Sequence, residues 1–288
     1  MILKEKLASG KFVVTTEIGP PKGVDIQEMR ESAELLRGKV DAANITDQQS
    51  SVMRLGSLAG CSLLKGWGIE PVFQMTCRDR NRIALQSDLL NAYVFGIENV
   101  LCLTGDHVFL GDHPEAKPVF DLDSISLLRA AKTLEQGQDL AKKELKGAPR
   151  FFLGASVTPG ADPLEPQIIK MEKKIKAGAQ FFQTQAVYES KRFEQFMQAV
   201  KPFNVPVLVG IVLLRSAAMA RFMNKNVAGI FVPESLIEEL DKAESKAKKS
   251  VEIAARLINE MKHMCQGVHI MAIGWEKRVP EVIEAAGL

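Results

Sequence analysis

Residues 71–103, PVFQMTCRDRNRIALQSDLLNAYVFGIENVLCL, decide the fold. Pro71–Thr76 is a short apolar run with polar residues at its end, residues 80–95 read as a helix, and Asn99–Leu103 is a second short apolar run. A strand, a helix and a further strand in this order make a βα unit that feeds a parallel neighbour. The same alternation runs outward in both directions. Before it lie Phe12–Ile18 (FVVTTEI) and Ala42–Thr46 (AANIT); after it lie Phe151–Val157, Phe181–Val187, Val205–Val212 and Val268–Ile273. Further helices are expected near residues 25–37, 52–65, 123–145, 164–177, 190–201, 215–225 and 276–286, with two extra ones at 234–240 and 243–264 before the last strand.

Eight strand–helix pairs in 288 residues predict an α/β fold, a (β/α)8 TIM barrel, better than an open doubly wound sheet. No stretch has the composition of an interdomain linker, so residues 1–288 are read as a single domain. Gly111–Pro118 (GDHPEAKP) reads as a long loop after the fourth strand, on the catalytic face. The lysine-rich Lys242–Lys249 reads as a solvated helix face.

Composition excludes several classes of function. Lys plus Arg is 37 against 35 for Asp plus Glu, and a net charge of +2 sets up no field to recruit nucleic acid or an anionic membrane. No apolar run approaches the ~20 residues needed to cross a bilayer, and the start, MILKEKLASGKF, lacks a secretory h-region, so a cytoplasmic protein is expected. The four cysteines (Cys61, Cys77, Cys102, Cys265) are far apart and signal neither disulfides nor a metal centre; packing is expected of Cys61, Cys77 and Cys102.

In a barrel enzyme the chemistry sits where strands run into the following loops. The polar strand ends are Glu17; Asn44, Thr46 and Asp47; Gln74 and Thr76; Thr104, Gly105 and Asp106; Ser156, Thr158 and Asp162; and Gln183, Thr184 and Gln185. Thr46, Asp47 and Asp162 read first as helix caps or satisfiers of backbone groups. Glu17 follows VVTT directly, and a carboxylate at an apolar mouth has a raised pKa unless it is paired, which suits a general acid. Gly105 lets the backbone approach a flat ligand, and Asp106 adds a second negative charge across the mouth.

Other chemistries fit less well. No strand end carries a lysine for a Schiff base, and His107, His113, His263 and His269 lie at unpaired spacings that suggest no metal ligand set. Neither G-x-G-x-x-G after a strand nor a P-loop is present. A flavin held by loop amides and helix N-termini remains compatible with these patterns.

These motifs, taken in order, resemble the methylenetetrahydrofolate reductase family over nearly the whole chain. The resemblance rests on Thr16-Glu17 with Pro20-Pro21, Asn44-Ile45-Thr46, Gln74-Met75-Thr76-Cys77, Gly105-Asp106, residues 174–178 (KIKAG) and Thr184-Gln185. It implies a flavin-dependent oxidoreductase that interconverts 5,10-methylenetetrahydrofolate and 5-methyltetrahydrofolate by hydride transfer at flavin N5. Glu17 would be the general acid, Asp106 would lie beside flavin and folate, and Gln185 would contact folate. Flavin-binding positions would be Thr46, Gln74, Thr76, Thr104, Gly105, Asp106, Thr158, Asp162 and Lys174, with no metal.

The chain also departs from the family pattern. Gln74 stands where bacterial relatives carry histidine and Thr104 where they carry arginine; Thr158, Asp162 and Gln167 replace a tyrosine, a histidine and an aspartate. The changes fall largely on the adenylate side, leaving both FAD and FMN open. Leu214–Ala217 lacks the phenylalanine on which a nicotinamide stacks, with Phe222 nearby as an arguable match. The chain is thus similar to the branch that works with an iron–sulfur electron-transfer subunit. A homo-oligomer stays open, as do two alternatives: a partner-activated flavin subunit of a larger redox complex, and a phosphate-binding barrel acting on a small sugar or keto acid.

Overall fold

Eight short, nearly continuous apolar runs need a sheet buried on both faces, and closing the sheet on itself under a ring of helices supplies this. A computed structural model describes residues 2–288. Its strands are β1 (Val13–Ile18), β2 (Ala42–Ile45), β3 (Pro71–Thr76), β4 (Asn99–Leu103), β5 (Phe152–Val157), β6 (Phe181–Ala186), β7 (Val207–Val212) and β8 (Gly267–Met271). All are parallel and pair in chain order, and β1 pairs with both β2 and β8 to close the barrel. The expected fold is the observed one.

The helices are α1 (Ile2–Ala8), α2 (Gln27–Leu36), α3 (Ser57–Gly66), α4 (Arg82–Val94), α5 (Ser124–Glu135), α6 (Glu165–Lys176), α7 (Ser190–Val200), α8 (Ala217–Asn226), α9 (Glu234–Lys242), α10 (Lys246–Met261) and α11 (Val279–Ala285). Two expected helices are shorter than their patterns. The one expected over 52–65 begins at Ser57, because Gln48, Ser50 and Ser51 take left-handed backbone angles around a short 3-10 turn. The one expected over 123–145 stops at Glu135, where Gly137 follows at φ +79 and turns the chain into an isolated bridge between Gln138 and Glu144. The extra helices α9 and α10 lie before β8, as expected.

Helix α1 was not anticipated, and it has a clear task. Its Leu3 and Leu7 join Val13, Ala42, Val72, Leu101, Phe152, Phe181 and Leu208 in a small apolar cluster that plugs the N-terminal end of the barrel. Phe152 and Phe181 stack there with centroids 4.8 Å apart. Gly154 makes room for them, since a Cβ at that position would stand 2.2 Å from the Phe181 ring. The outward faces of the strands pack under the helices in the larger core, which includes Ile45, Phe73, Met75, Val100 and Ile270.

The period of two then sets what lies above the plug. Along β1 the inward series is Val13, Thr15, Glu17; along β3 it is Val72, Gln74, Thr76; along β6 it is Phe181, Gln183, Gln185; along β8 it ends in His269 and Met271. Strands β1, β3 and β6 therefore change from apolar to polar toward their C-terminal ends, and β8 adds His269 at the same level. A polar layer sits between the plug and the open mouth.

Candidate functional site

The mouth holds a cavity of about 380 Å³ reached by Glu17, Gln74, Asp106, Lys174, Gln185 and His269, among others. A second cavity of about 350 Å³ adjoins it between the loops after β1, β2, β7 and β8; the two share Glu17 and Gln49. Both volumes fall in the range of small-molecule sites.

Glu17 stands at the junction. Its Oε1 accepts a hydrogen bond from Gln74 Nε2 at 2.8 Å and lies 3.4 Å from His269 Nε2. Among the described residues no donor engages Oε2, which leaves that oxygen for a ligand. The carboxylate is thus paired, the condition under which a raised pKa is not expected. Burial does push the carboxyl up, but contact with and charge on His269, together with the Gln74 amide, outweigh it and hold Glu17 below the ordinary carboxylate range.

Asp47, after the neighbouring strand β2, is tied into the protein instead. Its Oδ2 accepts from the Thr76 backbone N–H (2.8 Å) and hydroxyl (2.9 Å), and it forms an ion pair with Arg80, which also bonds Asp88 at 3.0 Å. It caps no helix but satisfies a backbone group, the second of the two roles expected of it, and so fastens β2 to the end of β3. Arg78, almost wholly buried, is fully used as well: it chelates Asp79 and donates to the carbonyls of Gln48 and Asp106.

On the far side Gly105 has φ +94, and a Cβ there would crowd Thr76 and Arg78 at 3.1 and 3.2 Å. This bare stretch of backbone walls the cavity, as a flat ring requires. Lys174 reaches in from α6, donates to the Ser156 carbonyl at 2.6 Å, and is pushed down to about 8 by burial and by neighbouring Lys170. Thr104 spends its hydroxyl accepting from the backbone of Ser124. Gln185 owes its aim to an irregularity between β6 and β7. There Thr184 Oγ1 accepts from the Gly210 N–H and donates to the Gln185 carbonyl, in place of regular ladder bonds.

Of the residues singled out from sequence, Glu17, Gln74, Thr76, Thr104, Gly105, Asp106, Thr158, Lys174 and Gln185 all line the main cavity. Thr46 does not: its buried hydroxyl has no partner, and the residue lines the second cavity. Asp162 is exposed and lines neither, and it does not cap α6, whose N-terminal position is Leu164. Phe222 is 62% exposed on α8 and also lies outside both cavities, so it offers no stacking surface there. Within Leu214–Ala217, Arg215 instead sits over the ring of Trp275 at 5.6 Å.

Sequence reasoning missed His269, Arg78 and the Gln48–Ser50 turn, all of which line the main cavity. A signal existed for His269, a lone polar residue flanked by Val268 and Ile270 in a strand, on the inward register. The left-handed turn had none. It is held by the fourth loop, where Gly111 abuts the Ser51 carbonyl so closely that a Cβ would stand 1.8 Å away.

A flavin suits this donor set. Amide, hydroxyl and ammonium groups from Gln74, Thr158 and Lys174 edge the cavity beside the bare Gly105 wall, matching a ring rimmed by carbonyls and ring nitrogens. The cysteines take no part. Cys61, Cys77, Cys102 and Cys265 are all buried, and burial pushes each thiol up. Among the described residues no helix is long and apolar enough to cross a membrane.

Comparison with known proteins gives the arrangement its context. Methylenetetrahydrofolate reductase 2 of Schizosaccharomyces pombe is 25% identical across 76% of the chain, and a probable methylenetetrahydrofolate reductase (NADPH) of Caenorhabditis elegans is 22% identical across 86%. The chain spans only 36% of either protein. Among solved structures, an uncharacterised Clostridium thermocellum protein that binds two copies of 5-methyl-5,6,7,8-tetrahydrofolic acid superposes with a TM-score of 0.68 at 19% identity, covering 99% of this chain and 98% of that one. A 2,3-dimethylmalate lyase follows at 0.54 and 12%, a likeness of fold alone. The family model described as methylenetetrahydrofolate reductase matches residues 2–287, and the chain belongs to the methylenetetrahydrofolate reductase family.

Proposed function

We propose that the chain is a single flavin-binding catalytic domain that interconverts 5,10-methylenetetrahydrofolate and 5-methyltetrahydrofolate. The observation that carries this reading is Glu17: a carboxylate at the meeting point of two cavities, steadied on one oxygen and free on the other. Opening the five-membered ring of the methylene compound requires a proton on a ring nitrogen, and Glu17 delivers it. A flat ligand over Glu17 would remove water and strengthen the burial that favours the protonated acid.

A bound flavin would supply the hydride. Gln74, Thr76, Thr104, Gly105, Asp106, Thr158 and Lys174 would hold it, with Lys174 meeting its most electron-rich oxygens. Asp162 lies away from the cavity, on the side assigned to the adenylate, which favours FMN over full FAD. Gln185, turned inward by the irregular β6–β7 pairing, and Asp106 would orient the pterin. The iron–sulfur partner is favoured over NADH or NADPH as electron source because Leu214–Ala217 offers no aromatic platform and Phe222 faces away. The sugar or keto-acid alternative is less well supported, since Arg78 is spent on internal bonds and Lys174 is left as the cavity's unpaired cation.

The test is direct. Purified protein is denatured and the released flavin identified by chromatography, and oxidation of 5-methyltetrahydrofolate is followed with an artificial dye. Flavin release with dye reduction is expected; colourless protein without folate turnover would overturn the reading.

A further inference from the structure

The mechanism above leaves unused the one histidine that lines the cavity. His269 is 2% exposed, and its Nε2 makes no hydrogen bond: Glu17 Oε1 is 3.4 Å away but off the hydrogen-bond line. A buried ring nitrogen aimed at the proposed acid, with nothing else to do, calls for an explanation.

Its other nitrogen fixes the tautomer. Nδ1 lies 2.9 Å from Thr15 Oγ1, and that hydroxyl donates its hydrogen to the Val268 carbonyl at 3.2 Å, so toward His269 it acts as an acceptor. Gln183 Nε2 is also close to Nδ1, at 3.2 Å, but its two hydrogens have acceptors in Asn44 Oδ1 (3.2 Å) and Thr15 Oγ1 (3.4 Å). The Gln183 orientation is fixed in turn by Asn44 Nδ2, which donates to its Oε1 at 2.7 Å. The chain Nδ1–H to Thr15 to Val268 therefore keeps one proton on Nδ1. Nε2 is left without a hydrogen-bond partner, and it faces Glu17.

We propose that His269 is a positioning residue that supplies the proton Glu17 delivers, so that the acid is a Glu17–His269 pair sharing one mobile proton; this rests on the proposed function and deepens it. The balance is simple. The O–H of Glu17 breaks as an N–H forms on the substrate; the Nε2–H of His269 breaks as the Glu17 O–H is restored; Nε2 regains its proton from water at the mouth. The pair explains how a carboxylate held low by its neighbours still serves as an acid at neutral pH: its proton is stored next door. Glu17 is the charged group facing His269. Asp47, already paired with Arg80, and Asp106 and Lys174 line the same cavity from β2, β4 and α6.

Two measurements on the full chain test this. First, pH profiles of folate turnover are compared for wild type and His269→Gln. The alkaline limb is expected to move down by a unit or more, so that the deficit at pH 8 exceeds that at pH 5.5 by about tenfold or more. A uniform loss at every pH would mean a merely structural role and overturn the proposal, as would an unchanged profile. Second, nitrogen NMR of the His269 ring is followed against pH in wild type and Glu17→Gln. Expected are a proton retained on Nδ1, titration at Nε2, and a midpoint lower by about one unit or more when the Glu17 charge is removed. A neutral Nε2–H tautomer, or a midpoint that does not move, would overturn it. The second measurement needs no activity. If folate is not turned over at all, the proposed function fails while the proton pair is still decided.

Discussion

Two seams of this barrel each carry a buried carboxylate at a strand end, and they treat it in opposite ways. Between β2 and β3, Asp47 is saturated by a backbone N–H, a hydroxyl and an arginine. Between β1 and β8, Glu17 receives one amide and one imperfectly aligned imidazole, and keeps an oxygen free. A carboxylate whose lone pairs are all spent fastens the structure. One held on a single oxygen is positioned and still reactive.

Four changes would break or sharpen that contrast. The largest effect is expected from Glu17→Gln, whose amide keeps the shape but cannot give up a proton. Folate turnover should fall by about 10²–10⁴, the usual worth of general acid catalysis, with melting temperature nearly unchanged. Turnover within a few-fold of wild type would remove Glu17 from the mechanism.

Asp47→Ala should do the reverse of this and act on stability. Arg80 would be left without its main partner, which costs about 3–5 kcal/mol for a buried pair. At about 2 °C per kcal/mol for a chain of this size, thermal unfolding should begin some ~6–10 °C lower. If calorimetry gives a drop under ~2 °C, the fastening role is wrong.

Gln74→Leu should have a smaller effect. Its amide helps hold Glu17 low, so its loss raises the carboxyl pKa and moves the alkaline limb of the rate profile upward. The change at neutral pH should stay within about tenfold, roughly one pKa unit. A limb moved toward acid would contradict the assignment.

The smallest effect concerns stability in acid. Because the folded-state pKa of Glu17 lies below its ordinary value of 4.5, the stability it contributes is present above that value and lost as pH falls through the folded pKa. Denaturant midpoints should therefore drop less between pH 6 and pH 3.5 in Glu17→Gln than in wild type. Equal drops would mean that Glu17 is not held low.

The sequence revealed the seams unevenly. The strands followed from short continuous apolar runs, because burial on both faces leaves so few places for polar residues, and those that remain mark strand ends. Glu17, Gln74, Asp106 and Gln185 were legible for this reason. His269 was passed over because its relevance depends on β8 closing against β1, a contact between residues 254 positions apart. Arg80 was hidden in what read as the first turn of a helix over 80–95, though α4 begins only at Arg82, and Arg78 lies just ahead of that stretch with no periodic signal of its own. Helix α1 was invisible for a different reason: seven residues carry little periodic signal, and its stability comes from capping an opening that exists only once the barrel has closed.

That cap has a further consequence. Among the described residues, Leu3, Leu7, Phe152 and Phe181 fill the base beneath Thr15, Gln183 and His269. Exchange of the polar layer with solvent, hydrogen ions included, is then directed to the mouth above, its doorway. A ligand lying across that doorway would isolate the layer from bulk solvent and freeze its hydrogen-ion count until release. Deuterium exchange at the buried amides of Asn44 and Gln183 would then stop in the liganded protein and resume only when the doorway clears.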